Sequence, residues 1–336
     1  MKILITGGAG FLGARLARTL LAQGEYSLRG ATPRRIEQVV LADLGAAPPD
    51  LAADPRVRSV QGPLLDLVQR RDVPAAGTDA VFHLAAAVSA ECEADFDLGM
   101  RSNVDTTRAL LEACRALGTA PVFVFASSVG VFGRRPGDPP LGVIADDTLP
   151  TPQGSYGIQK FICEQLVADY TRKGFIAGRS VRPMTVSVRP GRPNGAASGF
   201  FSGMIREPLA GERARIPVGP DVGAALASPS STIAGFVRAG EATDTEWGHR
   251  TAMNLPSLAT TVGEMAAALE RIAGKQASAL LDWSPDASVD RLVRSWPGEV
   301  AWERARALGL KADADFDSIV RQYIAENPQA VRLAVR

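Results

Sequence analysis

A tyrosine and a lysine four residues apart, Tyr156 and Lys160, are the first residues whose types and spacing suggest chemistry. On a helix, residues four apart lie on the same face. A lysine cation beside a phenol favours the phenolate, so we expect Lys160 to lower the pKa of Tyr156 and make it an acid or base near neutral pH. A solvent-exposed helical pair without a catalytic role is the alternative.

Two serines favour a catalytic role for Tyr156 and Lys160. Ser127 and Ser128 follow the run VFVFA, which has the composition of a buried strand. In α/β sheets, ligands bind outside the carboxyl ends of the parallel strands. The sequence therefore predicts that these serines lie at a ligand-binding edge of the sheet.

Three glycines, Gly7, Gly10 and Gly13, follow the short apolar run Lys2–Thr6 and open an amphipathic segment. A strand, a glycine-rich turn and a helix in this order can hold a pyrophosphate, because the turn brings backbone amides close and the helix N-terminus is positively polarised. An ordinary glycine-rich turn is the alternative. The context favours a dinucleotide site.

An aspartate, Asp43, ends the second apolar run, 39–42. A carboxylate here can accept hydrogen bonds from the adenosine ribose and repels a 2′-phosphate, which favours NAD over NADP. The separation from Gly13 exceeds the usual ~20 residues, and the polar insertion 24–38 accounts for the excess. A surface aspartate that caps the next turn is the alternative.

The elements that must position these residues alternate along the chain. Short β-branched or aromatic runs alternate with segments of helical period, which predicts βαβ units and a parallel sheet. We expect strands at 2–6, 39–42, 56–60, 80–85, 121–126 and 177–182, and helices at 11–23, 99–117 and 155–173. The predicted fold class is α/β, a Rossmann-type doubly wound parallel sheet.

The alternation ends after residue 182, before a stretch rich in proline and glycine. We therefore predict an NAD-binding Rossmann domain over 1–183, which regains pieces near 228–257, and a mainly substrate-binding region over 184–336. The second region is expected to be smaller and loop-rich, with helical pieces near 200–210, 230–239, 262–273 and 315–326.

The composition argues against several other classes of protein. The 336 residues include 37 Lys and Arg against 36 Asp and Glu, and this net charge of +1 predicts no nucleic-acid partner and no membrane partner. Three cysteines and two histidines suggest neither a disulfide framework nor a zinc site, so we expect reduced, buried cysteines and no metal. The sequence shows no signal-peptide core and no apolar run of ~18 residues, which predicts a cytoplasmic protein with a small-molecule substrate.

Together these motifs resemble those of the extended short-chain dehydrogenases/reductases, the NAD-dependent epimerase/dehydratase family. The match in order and spacing covers nearly the whole chain and includes the glycine loop, His83-Leu84-Ala85-Ala86, Asn103-Val104, the segment 127–133 and Tyr156-x-x-x-Lys160. The resemblance implies that Tyr156 is the general acid/base and that Lys160 binds the nicotinamide ribose while tuning Tyr156. It implies that Ser128 polarises the substrate oxygen.

The resemblance also implies the cofactor contacts. NAD is expected to contact Gly7, Gly10, Phe11, Leu12, Gly13, Asp43, Leu64, Asp66, Leu84, Ala85, Ala86, Asn103, Ser127, Tyr156, Lys160 and Pro183. Asn103 resembles the family's helix-kinking, water-holding asparagine, and His83 is expected to be structural. Pro63 stands where the family usually has an aspartate beside the adenine, so we expect Asp66 or the backbone near Leu64 to replace it.

Motifs late in the chain narrow the substrate. The stretch 226–231 departs from the His-Val-x-Asp-type segment of nucleotide-sugar enzymes, whereas 189–194, 206–209, 254–256 and 295–297 resemble the D-erythronate dehydrogenase branch. Arginine binds a carboxylate through two parallel hydrogen bonds, which makes Arg189 and Arg192 candidates for the carboxylate of a hydroxy acid. Asn194 and Ser198 are candidates for its hydroxyls. A solvated loop charge is the alternative for each arginine.

The expected reaction is NAD-dependent oxidation of a D-erythronate-like, four-carbon sugar acid at C2 to the 2-keto acid, with Tyr156 as general base. A nucleotide-sugar 4-epimerase or dehydratase would use the same residues, but the epimerase would retain NAD through both half-reactions. A non-catalytic dinucleotide sensor would tolerate loss of Tyr156 or Lys160. The helices near 99–117 and 155–173 resemble those that pair between subunits in related enzymes, so we expect a homodimer.

Overall fold

The computed structural model describes residues 1–135, 137–191, 198–248, 251–333 and 335 of the chain. Its strands are β1 (Lys2–Thr6), β2 (Glu25–Tyr26), β3 (Arg34–Arg35), β4 (Gln38–Asp43), β5 (Val57–Gln61), β6 (Ala80–His83), β7 (Val122–Ala126), β8 (Ala177–Arg182), β9 (Thr185–Val186), β10 (Ala214–Ile216), β11 (Gly223–Ala227), β12 (Met253–Asn254), β13 (Leu258–Thr261) and β14 (Leu281–Trp283). Its helices are α1 (Phe11–Gln23), α2 (Pro49–Ala52), α3 (Leu64–Gln69), α4 (Ser89–Ala94), α5 (Phe96–Gly99), α6 (Thr106–Leu117), α7 (Ser155–Arg172), α8 (Gly199–Leu209), α9 (Pro229–Glu241), α10 (Asp244–Trp247), α11 (Val262–Ser278, with a break at Gly274), α12 (Ala287–Val293), α13 (Glu303–Ala307) and α14 (Phe316–Glu326).

Seven strands form the central sheet in the order β12-β8-β7-β6-β1-β4-β5, and every neighbouring pair is parallel. The chain winds outward from β1 through β4 to β5, and then continues on the other side of β1 from β6 through β7 and β8. The direction of winding therefore reverses between β1 and β6, where doubly wound sheets open a crevice at their carboxyl edge. The predicted fold class is confirmed.

Helices cover both faces of this sheet, which explains why its strands are apolar runs. Neighbouring residues of β1 point to opposite faces. Ile5 belongs to the core that contains Leu16 of α1 and Phe236 of α9, whereas Leu4 belongs to the core that contains Leu110 of α6. Each buried side chain of this size stabilises the fold by about 1.5–3 kcal/mol, so the two cores fix the sheet edge that carries the site.

The predicted helix over 99–117 is confirmed, but its first third is not α-helical. Residues Met100–Asp105 form a π-helical segment, and the α-helix α6 begins only at Thr106. Segments of this kind often occur at functional sites, and this one contains Asn103. We find no helix in the described part of the chain with the length and apolar character needed to cross a bilayer.

The region after β8 contains more β-structure than predicted. β11 pairs with β9 in parallel and with β13 antiparallel, and β10 pairs with β14. Together with α8, α11 and α14, these strands surround a third core that includes Phe201, Leu269 and Phe316. Strands of two to five residues are too short to show a clear period in the sequence, so the expectation of helical pieces joined by loops was incomplete.

Candidate active site

The glycine loop joins β1 to α1 and leaves no room for side chains at two positions. Gly7 has φ 69°, and a Cβ there would lie 2.9 Å from the backbone nitrogen of Ala85. A Cβ on Gly13 would lie 2.0 Å from the backbone oxygen of Gly7. The loop therefore packs directly against the start of α1 and against the segment that follows β6.

The N-terminus of α1 presents free amide donors to the sheet edge. The first hydrogen bond of the helix runs from the Ala14 N–H to the Gly10 carbonyl at 2.8 Å. The N–H groups of Phe11, Leu12 and Gly13 consequently have no intrahelical acceptor. Such donors and the positive end of the helix dipole suit a pyrophosphate, so the loop fits a dinucleotide.

Asp43 lies at the end of β4 and holds this loop in place. Its Oδ2 accepts a hydrogen bond from the Ala9 N–H at 3.0 Å, and its Oδ1 accepts one from the Gly45 N–H at 3.0 Å. Each carboxylate oxygen can accept a further bond, so the same group can also bind ribose hydroxyls. Leu64 and Asp66 lie in the first turn of α3, which follows β5, and their contact with NAD stays a prediction.

His83, the last residue of β6, is completely enclosed. Its Nδ1 is 2.7 Å from the Thr6 hydroxyl, and its Nε2 is 2.9 Å from the Thr107 hydroxyl. Burial, together with the charge of Lys160, lowers the pKa of His83 to about 3, so the ring is neutral at physiological pH. These contacts fit the structural role expected for His83. The segment 84–86 follows at the sheet edge, where the Leu84 N–H donates to the Thr6 carbonyl at 3.2 Å.

Asn103 connects the π-helical segment to two other parts of the site. Its Oδ1 accepts a hydrogen bond from the Ala87 N–H at 2.9 Å, and its Nδ2 donates to Oε1 of Gln159 at 2.7 Å. Asn103 and Gln159 are both buried. The side chain thus fixes the segment after β6 relative to α7, the helix that carries the tyrosine and lysine.

One face of α7 meets the end of β7 at three successive turns. Tyr156 lies beside Ser128, whose hydroxyl lowers the pKa of the phenol by hydrogen bonding. Lys160 donates from Nζ to the carbonyl of Ala126 at 2.8 Å. Glu164 accepts a hydrogen bond from the Ser127 hydroxyl at 2.5 Å. Three helix residues spaced by four thus contact three consecutive residues at the end of the strand.

The pKa of Tyr156 is raised in this structure, which is opposite to the expected direction, and a lowering effect of Lys160 stays a prediction. Burial raises the pKa of Tyr156 to about 12, against smaller opposite effects of the Ser128 hydroxyl and the Arg189 charge. Burial also lowers the pKa of Lys160 to about 8. The Lys160 ammonium lies 5.8 Å from the centre of the Tyr156 ring and is bonded to the strand. Removal of the phenol from water is the larger effect.

A buried ion pair behind the strand end was not foreseen from the sequence. Arg182 of β8 donates from Nε to Oε1 of Glu164 at 2.9 Å and from Nη2 to Oε2 at 2.7 Å. Ser127, Glu164 and Arg182 are all at most 4% exposed. Glu164 follows Lys160 by four residues on a helix face that the Tyr-x-x-x-Lys motif already turns inward, and this spacing was a usable signal. The Ser127 hydroxyl serves this pair, and its contact with NAD stays a prediction.

The substrate candidates lie after β8 and are only partly described. Arg189 is half-buried, and its positive charge is close enough to Tyr156 to lower the pKa of that phenol. Ser198 immediately precedes α8. Pro183, a candidate for contact with NAD, accepts a hydrogen bond from the Val129 N–H through its carbonyl at 3.0 Å. Asn194 and Arg192 lie outside the described residues. The structure thus brings Ser128, Tyr156, Lys160 and Arg189 to one side of the sheet edge.

Residues 3–222 match the NAD dependent epimerase/dehydratase family. The chain therefore belongs to this family, as its motifs predicted. It is an NAD-dependent dehydrogenase, and NAD is its cofactor.

Two proteins resemble the chain over nearly its full length. D-erythronate dehydrogenase from Cupriavidus necator is 48% identical over 326 residues, which cover 97% of this chain and 98% of that protein. D-erythronate dehydrogenase from Haemophilus influenzae is 40% identical and covers 96% of this chain and 99% of its own length.

Two solved structures resemble the chain in fold. The nucleoside-diphosphate-sugar epimerase from Agrobacterium tumefaciens has a TM-score of 0.85 at 37% identity, covering 98% of this chain and 95% of that one. L-threonine 3-dehydrogenase from Trypanosoma brucei has a TM-score of 0.80 at 23% identity, covering 98% and 97%, and shares the fold.

Proposed function

We propose that the protein oxidises a four-carbon sugar acid similar to D-erythronate at its C2 hydroxyl and forms the 2-keto acid. The observation that carries this proposal is the grouping of Tyr156 and Ser128 at the end of β7, where a Cβ on Gly130 would lie 3.7 Å from the Tyr156 ring and 3.2 Å from the Ser128 hydroxyl oxygen, with the positive charge of Arg189 close enough to act on the same phenol. In a 2-hydroxy acid the carboxylate is bonded to the carbon that is oxidised. The cation that binds it must therefore lie next to the group that takes the hydroxyl proton. The two D-erythronate dehydrogenases that match the full chain support the same substrate class.

The residues of the glycine loop and Asp43 would hold NAD through its pyrophosphate and its adenosine ribose. NAD, when bound, supplies a hydride acceptor. Lys160 would bind the second ribose from its position at the end of β7. Because the loop has no room for side chains at Gly7 and Gly13 and presents free amides, the described residues fit this cofactor.

Side chains of α7 and of the segment that follows β7 carry out the proton transfer. Tyr156 accepts the proton of the C2 hydroxyl, Ser128 holds the hydroxyl oxygen by hydrogen bonding, and Arg189 binds the carboxylate through two parallel bonds. With a pKa of about 12 the phenol is neutral at physiological pH. Its base form therefore depends on positive charge brought close to it, for which Lys160 and Arg189 are candidates.

A spectrophotometric screen of four- and five-carbon sugar acids tests this function. The enzyme should form NADH with D-erythronate or a close isomer, and much less with the corresponding neutral sugar alcohol. The resemblance to a nucleoside-diphosphate-sugar epimerase at 37% identity supports a second candidate. A nucleotide-sugar epimerase would convert its substrate without net NADH, so conversion of a nucleotide sugar and no NADH from any acid would favour that candidate.

We also propose that the enzyme is a cytoplasmic homodimer. Four apolar side chains of α5 and α7 are exposed: Phe96, Leu98, Ile158 and Ile162. A second copy of the chain would cover them. The three cysteines are free and buried, which suits a reducing compartment. Sedimentation should show a dimer that Ile158→Glu weakens, and a monomeric starting protein would contradict the assembly.

A further inference from the structure

Helix α8 holds the backbone of Arg189 on both sides. The Arg189 N–H donates a hydrogen bond to the Ser202 hydroxyl at 3.0 Å, and the Arg189 carbonyl accepts one from Nη1 of Arg206 at 2.7 Å. Ser202 and Arg206 are four residues apart and therefore lie on the same face of α8. These two contacts fix the main chain from which the Arg189 guanidinium extends.

Arg206 is an unusual choice for a purely structural hydrogen bond. It is only 9% exposed, and its Nη2 pairs with Oε1 of Glu207 at 2.6 Å. Its positive charge lies close enough to Arg189 to lower the pKa of that guanidinium. Two neighbouring cations repel each other in a partly buried place. The Glu207 carboxylate offsets part of this repulsion from the side of Arg206, and an anion bound at Arg189 would offset the rest. A neutral side chain with an N–H group could hold a carbonyl without this repulsion.

We propose that Arg206 is a positioning residue that makes the site select anionic substrates. It holds Arg189 in the orientation that meets the substrate carboxylate, and it adds a second positive charge behind that guanidinium. Ser202 assists as the second backbone contact. The inference rests on the proposed function, because it assigns Arg189 to a substrate carboxylate.

Steady-state kinetics of Arg206→Gln with D-erythronate and NAD test the proposal. We expect the KM for the acid to rise by on the order of 10-fold, the factor that one charge-assisted hydrogen bond supplies. We expect kcat to change less and the KM for NAD to stay the same. Arg206→Lys, which keeps the charge but has one point donor, should recover part of the loss. Ser202→Ala should raise the same KM by a smaller factor.

Arg215→Gln provides the matched control, since Arg215 is exposed in β10 and its nearest carboxylate, Asp286, is 3.7 Å away. It should leave both KM values unchanged. Two results would overturn the role of Arg206 but not the proposed function: equal increases in the KM for the acid and the KM for NAD in Arg206→Gln, or an unchanged KM for the acid. Absence of turnover of any sugar acid by the starting enzyme would instead overturn the proposed function, and this inference with it.

Discussion

Glu164→Gln removes the charge of a buried carboxylate while nearly preserving its shape. Glu164 accepts hydrogen bonds from Nε and Nη2 of Arg182 and from the hydroxyl of Ser127. Glutamine keeps one oxygen acceptor and places an NH₂ group where the second oxygen stood. That NH₂ group would face a donor, either the Arg182 guanidinium or the Ser127 hydroxyl. The Arg182 guanidinium, 4% exposed, is then left partly unpaired inside the protein.

The loss of unfolding free energy expected for Glu164→Gln follows from the burial of this ion pair. Removing one partner of a buried ion pair costs about 3–5 kcal/mol, a large part of the total stability of about 5–15 kcal/mol that is typical of a domain. An exposed pair on the same helix, Asp169 with Arg172, provides the control, because both side chains are more than half exposed. Asp169→Asn should cost no more than about 1 kcal/mol.

Equilibrium unfolding in urea, followed by far-UV circular dichroism, measures both variants against the starting protein. Glu164→Gln should lower the denaturant midpoint strongly, and Asp169→Asn should leave it nearly unchanged. Replacing Glu164 and Arg182 together by leucine and methionine should recover much of the loss, because no buried charge then remains. Equal midpoints for Glu164→Gln and Asp169→Asn would refute the reasoning.

Three further predictions concern the cofactor and the proton-transfer residues. Tyr156→Phe should bind NAD normally in a fluorescence titration yet lose turnover on the order of 10²–10⁴-fold, and activity within a few-fold of the starting enzyme would remove Tyr156 from the mechanism. The starting enzyme should prefer NAD to NADP, and Asp43→Ser should narrow the ratio of their kcat/KM values because the charge that repels a 2′-phosphate is gone. Because the pKa of Lys160 falls from 10.5 to about 8 on folding, the unfolded chain binds more protons between these values, and Lys160 makes stability rise with pH in this window. Lys160→Met should lack this contribution. The difference in unfolding free energy between the starting protein and Lys160→Met, measured by urea unfolding, should therefore grow with pH between about 8 and 10.5, and a constant difference would contradict the prediction.

The dinucleotide half of the site was predictable because its signals are local in the sequence. Gly7 and Gly13 stand at a strand-to-helix junction, and the close backbone approaches at both positions show why only glycine fits. The strands of the central sheet were visible as apolar runs because both faces are covered. The four-residue spacing of Tyr156 and Lys160 predicted that both lie on one face of a single helix.

The remaining features depend on contacts between distant parts of the chain. The Glu164–Arg182 pair joins a helix to a strand, and the Arg206 contact joins α8 to a residue before it. The spacing of Glu164 from Lys160 could place Glu164 on the inward face of α7, but no local pattern identifies Arg182 or Arg189 as the partner. The pKa of Tyr156 depends on how deeply the phenol lies in the folded protein. Spacing alone placed a lysine beside it, but burial decided the direction of the shift.

Turnover of D-erythronate labelled with deuterium at C2 tests the central claim most directly. If the enzyme oxidises the C2 hydroxyl, each molecule of acid consumed should yield one molecule of released NADH that carries the deuterium, together with an unlabelled 2-keto acid. Mass spectrometry of the reduced cofactor and of the product measures both. Released NADH without deuterium would move the oxidation to another carbon, and deuterium retained in a sugar product without released NADH would contradict the dehydrogenase reaction.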